Sequence, residues 1–175
     1  MLAELTQRLK ALHLYGMAAE LTEMGVERLR KPEPPEVWLQ RLVDAESTER
    51  QARSMRYQLH VAKFPIHRDL DSFQWPESPL DEQQIRQLAS VGFMEEARNL
   101  ILVGGTGTGK THLATALGVA AIHTGKRVRF YNAVDLVNKL EKEKAQGRAG
   151  ALARRLTQMD AVILDELGYL PFPES

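Results

Sequence analysis

Residues 99–111, Asn99-Leu-Ile-Leu-Val-Gly-Gly-Thr-Gly-Thr-Gly-Lys-Thr111, decide how the rest of this chain is read. The apolar run Asn99 to Val103 predicts a short strand. The next eight residues satisfy G-x-x-x-x-G-K-[ST], the Walker A pattern, in full. Glycines let consecutive backbone N–H groups turn inward onto phosphate oxygens, where side chains would block the approach. The helix that follows points its positive end at the same place. Gly104, Gly105, Thr106, Gly107, Thr108, Gly109, Lys110 and Thr111 are therefore the expected phosphate-binding residues. Lys110 supplies a point charge to the β- and γ-phosphates, and the Thr111 hydroxyl a ligand for Mg2+. A merely flexible glycine turn does not account for a loop set between an apolar strand and a helix. A dinucleotide site fails too, because no G-x-G-x-x-G runs through these glycines and Asn132 stands where an acid is expected.

Downstream, strands and helices alternate. Thr111 to His123 is predicted helical, Val128 to Tyr131 a strand, Ala133 to about Lys144 a helix, Ala151 to Leu156 a short helix and Ala161 to Leu164 a strand. That order indicates α/β architecture with a parallel sheet and helices on its faces. Asp165-Glu166 closes the last strand, at the edge where such sheets bind ligands. Asp165 is expected to complete the magnesium site begun by Thr111. Glu166 is expected to orient and deprotonate the attacking water, so Lys110 and Glu166 form the expected catalytic pair. His112 is read as a packed or solvent-facing residue without a role.

Upstream, the pattern is helical. Leu2, Leu5, Leu9 and Leu12 share one helical face, Lys31-Pro-Glu-Pro-Pro35 breaks the chain, and a second helix is expected from about Glu36 to Ala62. Residues 50–68 hold Arg50, Arg53, Arg56, Lys63, Arg68 and two histidines without one acid. This stretch reads equally as a solvated face or as a contact for nucleic acid or a partner. Phe73 and Trp75 are expected packing anchors in a linker, and Asp81 the N-cap of a short helix. The expected division is a helical domain over 1–68, a lead-in over 69–98 and an ATPase core over 99–175.

Composition narrows the class further. The 175 residues are 43% hydrophobic and 26% charged, with 23 basic and 23 acidic side chains and no cysteine. A disulfide framework, a thiolate metal site and a cysteine nucleophile are thereby excluded. No apolar run approaches the roughly 20 residues of a membrane span, so a cytoplasmic protein without a membrane partner is expected. The neutral total hides a basic stretch: residues 126–155 carry nine Lys or Arg against three acids.

LILVGGTGTGKTHLATALGVAAIHTGKRVRFYNAVDLVNKL with AVILDELGY, preceded by LKALHLYGMAAEL, AKFP and DLDSFQW, resembles the IstB-like transposition helper ATPases. These belong to the AAA+ superfamily and are related to DnaC-type helicase loaders. The resemblance implies an AAA+ P-loop NTPase fold behind an N-terminal helical region. It implies ATP and Mg2+ as ligands, assembly of several copies on duplex DNA without sequence preference, and an insertion-sequence transposase as partner. It also implies that the helix pair between the second and third strands faces DNA, making Lys139, Lys142, Lys144, Arg148, Arg154 and Arg155 phosphate contacts. Against the family pattern, Gly105-Thr106 replaces two prolines. The sequence also stops at Ser175, before further strands, a sensor residue, an arginine and a lid. The expectation is a C-terminally truncated core whose first and third strands lack the strand between them, and which binds nucleotide weakly and hydrolyses it poorly. The alternatives are a helicase loader, a small-molecule P-loop kinase and an inert interaction fragment.

Overall fold

The computed structural model describes residues 1–27 and 34–169, and the chain divides into two compact units between Arg56 and Tyr57. In the first, α1 (Leu2–Ala11) and α2 (Tyr15–Glu27) are separated at His13, whose φ of 61° ends the helical run. The third helix, α3 (Pro35–Ala62), begins in this unit and continues into the second. Lys31, Pro32 and Glu33 of the expected break lie outside the described residues, and Pro34 directly precedes α3. Leu21, Met24 and Leu42 form the core here, with Leu9, Met17 and Trp38 against them. The buried carboxylate of Glu46 accepts from the backbone N–H of Gly16 at 2.9 Å and of Met17 at 3.4 Å, and from Arg50 Nε at 2.7 Å. One side chain on α3 thus satisfies two of the free donors at the start of α2.

The second unit is built around α6 (Lys110–His123), which buries eight of its residues. Beside it lies a parallel pair, β1 (Val128–Asn132) and β2 (Ala161–Asp165), with Val128 opposite Ala161 and Asn132 opposite Asp165. Two helices, α7 (Ala133–Ala145) and α8 (Ala151–Leu156), form the crossover that parallel pairing requires. Register is pinned at the strand entry. Asp160 Oδ2 accepts from the Arg127 backbone at 2.7 Å and from Arg127 Nε at 3.2 Å, while Asp160 N donates to Arg127 O at 2.8 Å. The Arg127 guanidinium holds the Asp160 carboxyl below the usual carboxylate range. Gly118 leaves no room for a side chain between α6 and this sheet: a Cβ there would meet Ile163 Cδ1 at 2.7 Å and the Phe64 ring at 2.9 Å.

The lead-in packs against the core. Leu70, Phe73 and Ile85 are buried with Leu113 and Ala116 of α6, and Trp75 and Leu88 cover them. Asp81 caps α4 (Glu82–Leu88) by accepting from Gln83 N and Gln84 N, and α5 (Gly92–Glu95) follows. The expected boundaries at 68 and 98 both fall inside the second unit.

The strand expected at 99–103 does not form. These residues join no ladder, and Ile101 and Val103 are 80% and 90% exposed. The physical reason is pairing: an extended backbone becomes a strand only when a neighbour takes its N–H and C=O groups. Among the described residues, β2 pairs with β1 alone, so its other edge is unpaired, and Val162 and Leu164 on one of its faces are exposed. A groove of about 780 Å³ separates residues 100–103 from β2.

Candidate functional site

The 104–111 loop sits at the N-terminus of α6 as the motif requires, and it folds over itself. Thr108 Oγ1 donates to Gly105 O at 2.9 Å, and Lys110 Nζ donates to the same carbonyl at 2.6 Å. The lysine charge thus lies over the loop rather than out in solvent. Gly109 precedes the helix at φ 84°, a left-handed conformation that disfavours side chains. A Cβ at this position would also stand 2.6 Å from the Phe73 ring. Phe73 is therefore the floor of the loop.

Sequence spacing alone could not show that the two halves of the site meet, and they do. Thr111 Oγ1 donates to Asp165 Oδ2 at 2.8 Å across 54 positions of sequence. Asn132 and Asp165 end the two parallel strands side by side, and Glu166 follows with φ 60°. A positive φ at a glutamate is sparsely populated backbone of the kind that concentrates at functional sites. The donor set is a hydroxyl and a carboxylate, hard oxygens that suit Mg2+ rather than a thiolate-loving metal. The loop also has the cradle that phosphate needs: a Cβ on Gly104 would fall 2.9 Å from Thr108 Oγ1. The residues present therefore fit a magnesium–nucleotide ligand.

The contacts of two residues escaped the sequence reading. Asn132 Oδ1 accepts from Val134 N at 3.0 Å and caps α7, while its Nδ2 donates to Glu166 Oε2. The amide thus ties the last residue of β1 to the expected catalytic carboxylate. Its position after a strand and before a helix signalled the cap, but nothing local signalled the glutamate. His112, given no role, has Nε2 2.8 Å from Asp69 O and its ring edge-on to Phe73 at 5.2 Å between centroids. It fastens the lead-in to α6.

Lys139, Lys142, Lys144, Arg148, Arg154 and Arg155 are all exposed on α7, α8 and the turn between them. They are not equally free. Arg155 pairs with Glu143 at 3.1 Å, Arg148 bonds Gln146 at 3.1 Å, and Lys139 Nζ lies 5.5 Å from the centre of the Tyr131 ring. Glu143, read as an opposing surface charge, also accepts from Leu152 N at 2.9 Å and so joins α7 to α8.

A phosphate loop on a buried helix beside a parallel strand pair that ends in Asp-Glu defines a P-loop ATPase domain. The sequence pattern of one such family, the IstB-like ATP binding protein, matches residues 7–175, and the chain belongs to that family. Three relatives bear names describing candidate ATP-binding proteins of insertion sequences. The IS5376 protein of Geobacillus stearothermophilus is 37% identical over 76% of this chain and 53% of its own length. The IS21 protein of Pseudomonas aeruginosa is 36% identical over 95% of this chain and 62% of its own. The IS232 protein of Bacillus thuringiensis subsp. berliner is 30% identical over 96% and 68%. The chain thus spans between half and about two-thirds of the length of these relatives. No helix among the described residues is long and apolar enough to cross a membrane.

Proposed function

We propose that this chain binds ATP with Mg2+ at the 104–111 loop and serves as an ATP-dependent helper of an insertion-sequence transposase on duplex DNA, acting with further copies of itself. The observation that carries the ATP-binding part is the 2.8 Å bond between Thr111 and Asp165, which places a hydroxyl and a carboxylate beside Lys110 and Glu166. Thr111 and Asp165 would hold the metal, which when bound withdraws charge from the phosphate oxygens during transfer to water. Lys110 exchanges the Gly105 carbonyl for phosphate oxygen as its acceptor. Glu166 orients the attacking water and takes its proton, and the Asn132 amide holds the Glu166 carboxylate in place for that task. Lys142, Lys144 and Arg154 are the cations on α7 and α8 best placed to meet DNA phosphates. The insertion-sequence relatives support the transposition part of this reading.

The test pairs nucleotide titration with turnover. Lys110→Ala is expected to abolish ATP binding. Glu166→Gln is expected to keep binding while lowering DNA-stimulated hydrolysis by about 10²–10⁴-fold. A folded, magnesium-supplied protein that takes up no ATP overturns the proposal, as does Glu166→Gln turning over at the wild-type rate.

A further inference from the structure

The cations from Arg50 to Arg68 fall into two groups. Arg50, Arg53 and Arg56 are spent on glutamates of their own helix: Arg50 on Glu46 at 2.7 Å, Arg53 and Arg56 on Glu49 at 3.3 and 3.4 Å. Beyond them, Tyr57, His60, Lys63, Ile66, His67 and Arg68 are all exposed, Tyr57 by 64%. Among the described residues neither Lys63 nor Arg68 forms an ion pair. The next acids along the chain are engaged elsewhere, Asp69 with Ser72 N at 2.8 Å and Asp71 with Arg86 at 2.9 Å.

This cationic end is also held rigidly to the α/β core. Phe64 packs edge-on against Phe130 at 6.2 Å, and the Arg129 guanidinium donates to Val61 O at the last turn of α3. Arg129 lies 5.4 Å from the centre of the Tyr131 ring, and Lys139 of α7 lies 5.5 Å from the same ring. β1 thus touches both the end of α3, through Arg129 and Phe130, and α7, through Tyr131.

We infer that the end of α3 and the turn after it, carrying Tyr57, Lys63 and Arg68, form a second phosphate-contact surface, so that duplex DNA is held there as well as along α7. The inference rests on the reading of this chain as DNA-associated and assigns it a site outside α7 and α8. Lysine and arginine neutralise phosphates, the Tyr57 hydroxyl donates to a phosphate oxygen, and none of them reads bases.

The experiment measures binding of a short fluorescent duplex by the full chain over a range of salt concentrations. Lys63→Gln with Arg68→Gln is expected to lower the slope of log affinity against log salt by about 2. The charge-keeping pair Lys63→Arg with Arg68→Lys is expected to retain it, with thermal melts of both variants matching the wild type. Lys142→Gln with Arg154→Gln serves as the parallel arm. If that arm lowers the slope and the α3 pair does not, the second surface is overturned while DNA association stands. If the wild type binds no duplex, both fall. If the α3 pair loses binding to polyglutamate but keeps its duplex slope, the surface belongs to an acidic protein and the inference is overturned.

Discussion

Leu100 to Val103 and Val128 to Tyr131 are both short strand candidates, one leading into the phosphate loop and the other into Asn132, and they meet opposite fates. The second is a strand, paired along its length with β2, with Val128, Phe130 and Tyr131 buried. The first is unpaired and presents Ile101 and Val103 to solvent. The first is the more apolar of the two. The difference lies in partners: β1 has β2 on one side, α6 and Phe64 against Phe130, and the Arg127–Asp160 clasp at its entry. A strand is a property of the ladder it joins, and sequence shows only eligibility.

That contrast can be broken from the buried side. Phe130→Ala is expected to destabilise the second unit by about 3–5 kcal/mol, because its ring fills the contact with Phe64 and leaves a cavity when removed. Urea unfolding followed by circular dichroism measures it. Gly118→Ala is next, at about 1–3 kcal/mol, since the added methyl enters the space of Ile163 and Phe64. The same substitution at an exposed helical glycine would stabilise, so the sign of the shift in unfolding midpoint is diagnostic.

The clasp gives a smaller effect with a defined pH window. Asp160 is held below its ordinary value of about 3.9, so its contribution is full above about pH 4. It is lost as pH falls through the lower value of the folded state. Asp160→Asn is expected to remove that part of the acid dependence and leave stability near neutrality reduced but flat. Unfolding curves of both proteins from neutral pH down to about pH 3 compare them. From the exposed side, Ile101→Ser is expected to change stability by less than about 0.5 kcal/mol. A loss as large as that of Phe130→Ala would mean that residues 99–103 are packed in solution and the contrast is false.

The phosphate loop, its helix, both paired strands and the Asp-Glu terminus were legible because each is written locally, in glycine spacing, apolar runs and chain order. Asp81 and α8 were equally local. What could not be read depends on partners distant in sequence. The pairing of 99–103 is one case, and the Asn132 amide meeting Glu166 is another. The break at His13 is local but weakly signalled, since the leucine spacing continues through Leu12 and only a positive φ ends α1. Sequence also treated residues 50–68 as one basic stretch, whereas Glu46 and Glu49 pair with its three N-terminal arginines.

The ring of Phe73 beneath Gly109 sets where this chain can be cut. A fragment trimmed to begin at Asn99, just ahead of the glycines, would keep every residue of the nucleotide motif. It would lose the aromatic prop under the turn and the Asp69 carbonyl that His112 grips. A piece that keeps both supports must begin before Asp69, and the second compact unit, which starts at Tyr57, holds them.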